Sequence, residues 1–102
     1  MVQASDNLSR ITGTIRSRRP HPTLEGYDLV DLALERSEAA EGKADLLASQ
    51  RGRNIELAVR RELLGAAGPG ATLECRAKRT PAGAMCEARP KPGDFGITAE
   101  GD

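Results

Sequence analysis

The chain has 102 residues, 38% of them hydrophobic and 29% charged, which suits one folded domain. Its 15 basic and 15 acidic side chains cancel, which excludes the strong basic excess of a non-specific nucleic-acid binder. Tyr27 and Phe95 are the only aromatics and Trp is absent, so the core must be small and aliphatic.

Residues 1–7 are polar and read as a disordered tail, as do residues 99–102; residues 8–98 form the expected domain. From Leu8 the pattern alternates. Ile11, Gly13 and Ile15 point one way, and Thr12, Thr14 and Arg16 the other, as in a strand with one buried face. A glycine in mid-strand is unfavourable unless the strand bends or meets another backbone closely, so Gly13 predicts a kink. Arg18 to Gly26, with two prolines, reads as a loop. A second strand is expected from Tyr27 to Glu35, with Val30, Leu32 and Leu34 inward and Asp31, Ala33 and Glu35 outward.

Arg36 to Lys43 is polar and reads as a loop, and Ala44 to Gln50 as a turn or two of helix. The third strand has Ile55, Leu57 and Val59 inward and Glu56, Ala58 and Arg60 outward. Good helix formers from Arg61 to Ala67 end at Gly68-Pro69-Gly70, which places Leu63 and Leu64 as a plug for one end of the fold. The fourth strand, Ala71 to Lys78, turns Leu73, Cys75 and Ala77 inward, and Thr80-Pro81-Ala82-Gly83 is a turn. The fifth starts at Ala84 with Cys86 and Ala88 inward. Phe95 and Ile97 are expected in a last short strand that closes the barrel.

Few residues carry chemistry. If Thr80 opposes Gly83, Cys86 faces Ala77 and Cys75 faces Ala88, so the cysteines are diagonal neighbours about 7–8 Å apart and read as buried free thiols. His21, alone between two prolines, lacks the partner that acid–base work needs. Asp28, Asp31 and Glu35 read as a solvated strand face rather than a metal site, and the glycines of residues 65–70 follow no phosphate-loop pattern. No cofactor, metal site or catalytic set is therefore expected, and the chain reads as a non-enzyme. No apolar run is long enough to cross a bilayer and no apolar leader follows the N-terminus, so a cytoplasmic location is expected.

The charge distribution is the remaining signal. Residues 1–24 hold four basic and one acidic side chain (+3), and residues 25–46 two basic and seven acidic (−5). Arg16, Arg18 and Arg19 flank the first connection, and Lys78 and Arg79 the fourth.

The order strand–strand–strand–helix–strand–strand, the Gly13 bend and the Gly68-Pro69-Gly70 lead into strand four resemble the OB-fold superfamily across residues 8–98. The expected fold class is thus all-β, a small five-stranded OB-like β-barrel with a short helix between strands three and four. An open five-stranded sheet or an SH3-like barrel shares most of the pattern, and pairing of strand one with a single neighbour would favour the open sheet. The resemblance implies a ligand groove on strands two and three, flanked by the first and fourth connections, and binding of single-stranded nucleic acid, oligosaccharide or protein. The two basic bends are expected to converge at one mouth, lined by Arg16, Arg18, Arg19, Tyr27, Arg60, Lys78 and Arg79. The expected partner is anionic, a single-stranded nucleic acid or an acidic protein surface. The alternative is an accessory protein-interaction domain, or a subunit that self-associates through a sheet edge.

Overall fold

A computed structural model describes residues 7–99. Six strands form: β1 (Ser9–Pro20), β2 (Tyr27–Ala39), β3 (Asn54–Arg60), β4 (Thr72–Thr80), β5 (Gly83–Cys86) and β6 (Phe95–Thr98). A single helical turn, α1 (Arg61–Leu64), lies between β3 and β4. The helix expected over Ala44–Gln50 shrinks to a 3-10 turn at Ala48–Gln50.

Five strands close into a ring. β1 runs antiparallel to both β2 and β4, β2 to β3 and β4 to β5, and the short parallel contact of β3 with β5 completes the circuit. Because β1 has two neighbours, the open sheet is ruled out, and the closed order is consistent with an OB-like barrel. β6 does not close the barrel, as was expected of it. It adds to β4 alone, Leu73 opposite Ile97 and Cys75 opposite Phe95, while β3 and β5 provide the closure.

The alternating pattern explains the interior. Ile11, Ile15, Val30, Leu32, Leu34, Leu57, Val59 and Leu73 are all at most 1% exposed, and Leu64 plugs one end as expected. Burial of one such side chain stabilises by about 1.5–3 kcal/mol, so a core without large aromatics depends on many moderate contributions. Cys75 and Cys86 are buried free thiols. The hairpin register is as expected, with Thr80 opposite Gly83 and Ala77 opposite Cys86. Ala88, however, is exposed beyond the end of β5, so Cys75 faces Ile11 of β1 and Phe95 of β6 instead. Its thiol is pushed well up, first by its hydrogen bond with Cys86 and then by burial.

Two irregularities shape β1. A register shift between Thr12 and Gly13 bends it, and there a methyl on Gly13 would sit 2.5 Å from the Ala33 carbonyl oxygen and 2.8 Å from Leu32 Cγ. Glycine is required because two backbones nearly touch. A second shift between Ile15 and Ser17 leaves Arg16 as a surplus residue in a bulge. Past the bulge the alternation inverts. Arg18 pairs with buried Val30 and therefore turns inward, while Arg19 pairs with Leu29 and turns outward.

Three sequence expectations fail in the same region of the chain or next to it. β1 extends through Arg18 and Arg19 to Pro20 instead of ending before a loop. β2 runs on to Ala39, because Arg36–Ala39 pair with Ser9–Thr12 of β1. Asn7, assigned to the tail, is fully buried and bridges to Ala44. The remaining expected tail residues, 1–6 and 100–102, lie outside the described residues. No helix among the described residues is long and apolar enough to cross a membrane.

Candidate functional site

The direction of β4 decides where the basic bends lie. The β1–β2 bend sits at the Arg60 end of β3, where Tyr27 pairs with Arg60. The β4–β5 bend sits at the opposite end, where a methyl on Gly83 would lie 2.8 Å from the Glu56 carbonyl oxygen. Their contacts on β3, Glu56 and Arg60, lie four residues apart, about 13 Å. The expected common mouth does not form: each bend belongs to its own pole of the barrel.

The α1 pole is sealed by ion pairing. Arg18 Nε donates to Asp28 Oδ2 at 2.7 Å, and its Nη1 donates to the carbonyls of Gly65 (2.8 Å) and Ala67 (2.6 Å). Arg61 Nε donates to Asp28 Oδ1 at 2.8 Å, and its Nη2 to the Tyr27 carbonyl at 3.2 Å. The Asp28 side chain is only 7% exposed. Burial pushes its carboxyl up, but the two guanidinium hydrogen bonds outweigh this and hold it below the usual carboxylate range. Arg60 ion-pairs with Glu62 and donates to the Ala88 carbonyl at 3.0 Å, and Arg19 reaches Glu56 across β2 at 3.0 Å. Tyr27 is half-buried in a shallow hollow with Glu25, Arg60 and Glu62. His21 Nδ1 accepts the backbone N–H groups of Thr23 (3.1 Å) and Leu24 (3.0 Å), so the ring acts as a staple for its own loop.

The hairpin pole is built differently. Between the start of β3, the 3-10 turn and the β4–β5 bend lies a cleft of about 210 Å³. Buried Leu47 and Ile55 line it together with Gln50, Asn54, Glu56 and Arg79. Its framework is fixed from beneath. Asn7 Oδ1 accepts the Arg79 N–H at 2.7 Å, and Asn7 Nδ2 donates to the Arg79 carbonyl at 3.4 Å, much as a neighbouring strand would. Asp45 Oδ1 accepts from Ser9 Oγ (2.6 Å), Ser37 Oγ (2.7 Å) and the Leu47 N–H (3.2 Å). Burial pushes the Asp45 carboxyl up, yet these hydrogen bonds keep it below its ordinary value. Arg79 donates to the Leu46 carbonyl at 3.5 Å and is exposed. Lys78, Arg51 and Arg53 are exposed as well.

The seven nominated residues are therefore divided. Arg18, Arg19, Tyr27 and Arg60 belong to the α1 pole or to the sheet beside it, and the three arginines are ion-paired within the chain. Lys78 and Arg79 belong to the hairpin pole, and Arg16 stands exposed in the β1 bulge. The cleft residues Leu47, Gln50, Asn54 and Ile55 were not singled out from sequence. The only signal was that Gln50 and Asn54 bracket Gly52 just before an alternating strand. Asp31 faces Glu56 across the ladder, and Glu35 accepts from Thr14 Oγ1 at 2.8 Å. The described residues contain no group of three or more His, Cys, Asp or Glu side chains suited to hold a metal.

The chain matches no protein-family model, no curated protein and no solved structure.

Proposed function

We propose that the chain is a non-enzymatic binding module of the OB type that docks an acidic protein segment at its hairpin pole. The observation that carries this reading is the cleft itself: an apolar floor of Leu47 and Ile55 beside the exposed cation Arg79. Its volume of about 210 Å³ lies below the usual range of roughly 300–1,000 Å³ for small-molecule sites. It suits one anchoring side chain of a larger partner. Gln50 and Asn54 supply amides for a partner backbone, and Arg79 supplies positive charge, while the Glu56 carboxylate on the same wall is paired with Arg19. A protein segment is favoured over single-stranded nucleic acid because base binding relies on aromatic platforms. Tyr27 lies at the other pole and Phe95 packs against the core.

The reading is tested by fluorescence anisotropy with two labelled probes, a short Asp/Glu-rich peptide carrying one leucine and an oligothymidylate. The peptide is expected to bind in the micromolar range and to weaken several-fold between about 20 and 200 mM salt, as exposed charge contacts are screened. Arg79→Glu is expected to weaken it at least tenfold. Absence of peptide binding, or binding undiminished in Arg79→Glu, would overturn the proposal. Tighter binding of the oligonucleotide would transfer the site to nucleic acid.

A further inference from the structure

β6 is the outermost strand of the sheet, and among the described residues it pairs with β4 alone. A groove of about 470 Å³ lies between β6 and the α1 segment, lined by residues that include Leu63, Ala66, Ala67, Pro69, Ile97 and Ala99. Among the described residues, no charged or polar side chain lines it. Edge strands of monomers are usually protected by lysine, proline or a bulge. Phe95-Gly96-Ile97-Thr98-Ala99 has none of these, and β6 is short.

We propose that a second copy of this chain fills the groove, its β6 adding antiparallel to the first across a two-fold axis. The described lining is apolar, which favours an uncharged occupant, and the free edge of β6 favours an extended one. The chain itself presents one: residues 95–99 of β6 and its immediate continuation are uncharged and already held extended by β4. A preformed strand loses little conformational freedom on docking. The contact is self-complementary, as a two-fold interface requires, because the β6 edge of each copy meets that of the other and enters its groove. Its size sets its strength. A four-residue edge and one groove fall at the low end of specific interfaces, below about 1,200 Å² in total, so the dimer is weak and concentration-dependent.

Sedimentation velocity from about 10 µM to about 1 mM tests this, since a weak dimer dissociates within that range. The weight-average mass is expected to climb from 10.8 kDa toward twice that value. Ala66 and Thr98 are exposed, so Ala66→Glu in the groove and Thr98→Lys on the strand leave the core intact. Each is expected to weaken association at least tenfold without moving the thermal unfolding midpoint. Arg79→Glu is expected to leave association unchanged, which separates this inference from the fate of the peptide site. A monomeric mass at every concentration, or association undiminished in both edge variants, would overturn it.

Discussion

The two poles of the barrel solve the problem of closing a tube in opposite ways. At the α1 pole one buried carboxylate, Asp28, gathers two guanidinium groups and, through Arg18, the carbonyls that follow α1. Every cation described there has an internal anion, and little charge is left for a partner. At the hairpin pole buried Asn7 and half-buried Asp45 hold backbone and hydroxyl groups instead of cations. The positive side chains there remain at the surface. Charge thus closes one end and stays at the surface of the other, which a net charge of zero conceals.

The sharpest way to break this comparison is Asp28→Ala. It strands Arg18 in a nearly buried position and is expected to cost about 3–5 kcal/mol, the range for removing one partner of a buried pair. Thermal unfolding followed by circular dichroism reads this as a fall of well over 10 °C in a domain of this size. The pH dependence follows from the sign of the shift. The Asp28 carboxyl is depressed in the folded state. Its stabilisation is therefore complete above the unfolded value near 3.9 and lost as pH falls through the lower folded value. Unfolding curves of wild type and Asp28→Asn should accordingly differ at pH 7 and converge as pH falls through the depressed folded value.

Gly83→Ala sharpens the other side. The added methyl presses on the Glu56 carbonyl and should cost about 1–3 kcal/mol, as overpacking does, loosening the hairpin pole first. Amide hydrogen exchange should show protection lost at Thr80, Ala84 and Glu56 before Asp28. Smaller still is Arg79→Glu. On an exposed side chain it should change stability by less than about 0.5 kcal/mol. Any loss in the peptide titration is then a binding effect. The smallest expected change is Arg19→Ala. The Arg19–Glu56 pair is about half exposed, and such pairs contribute roughly 0.2–1 kcal/mol, so chemical denaturation should barely distinguish the variant from wild type.

The strands were legible because their two faces differ sharply. Val30, Leu32 and Leu34, then Ile55, Leu57 and Val59, then Leu73, Cys75 and Ala77 alternate as a half-buried strand must, and all are buried. The kink at Gly13 was legible for the same local reason. The end of β2 was not, because Arg36–Ala39 are mostly polar and exposed and owe their strand form to pairing with β1, which lies far away in sequence. The Arg16 bulge leaves no compositional mark, yet it determines which arginine turns inward. The site was misplaced over one point of topology. β4 runs antiparallel to β1, so the first and fourth connections must lie at opposite ends of the ring. Periodicity describes faces and is silent about direction.

The doubled arginine after the bulge has a consequence for folding. A slip of this strand by one position would exchange its two faces. Here such a slip would bring Arg19 toward Asp28 and release Arg18 toward Glu56, replacing each guanidinium with another. Adjacent identical side chains make that error electrostatically silent, so the misregistered ribbon keeps its ionic seal while the apolar contacts select the correct frame.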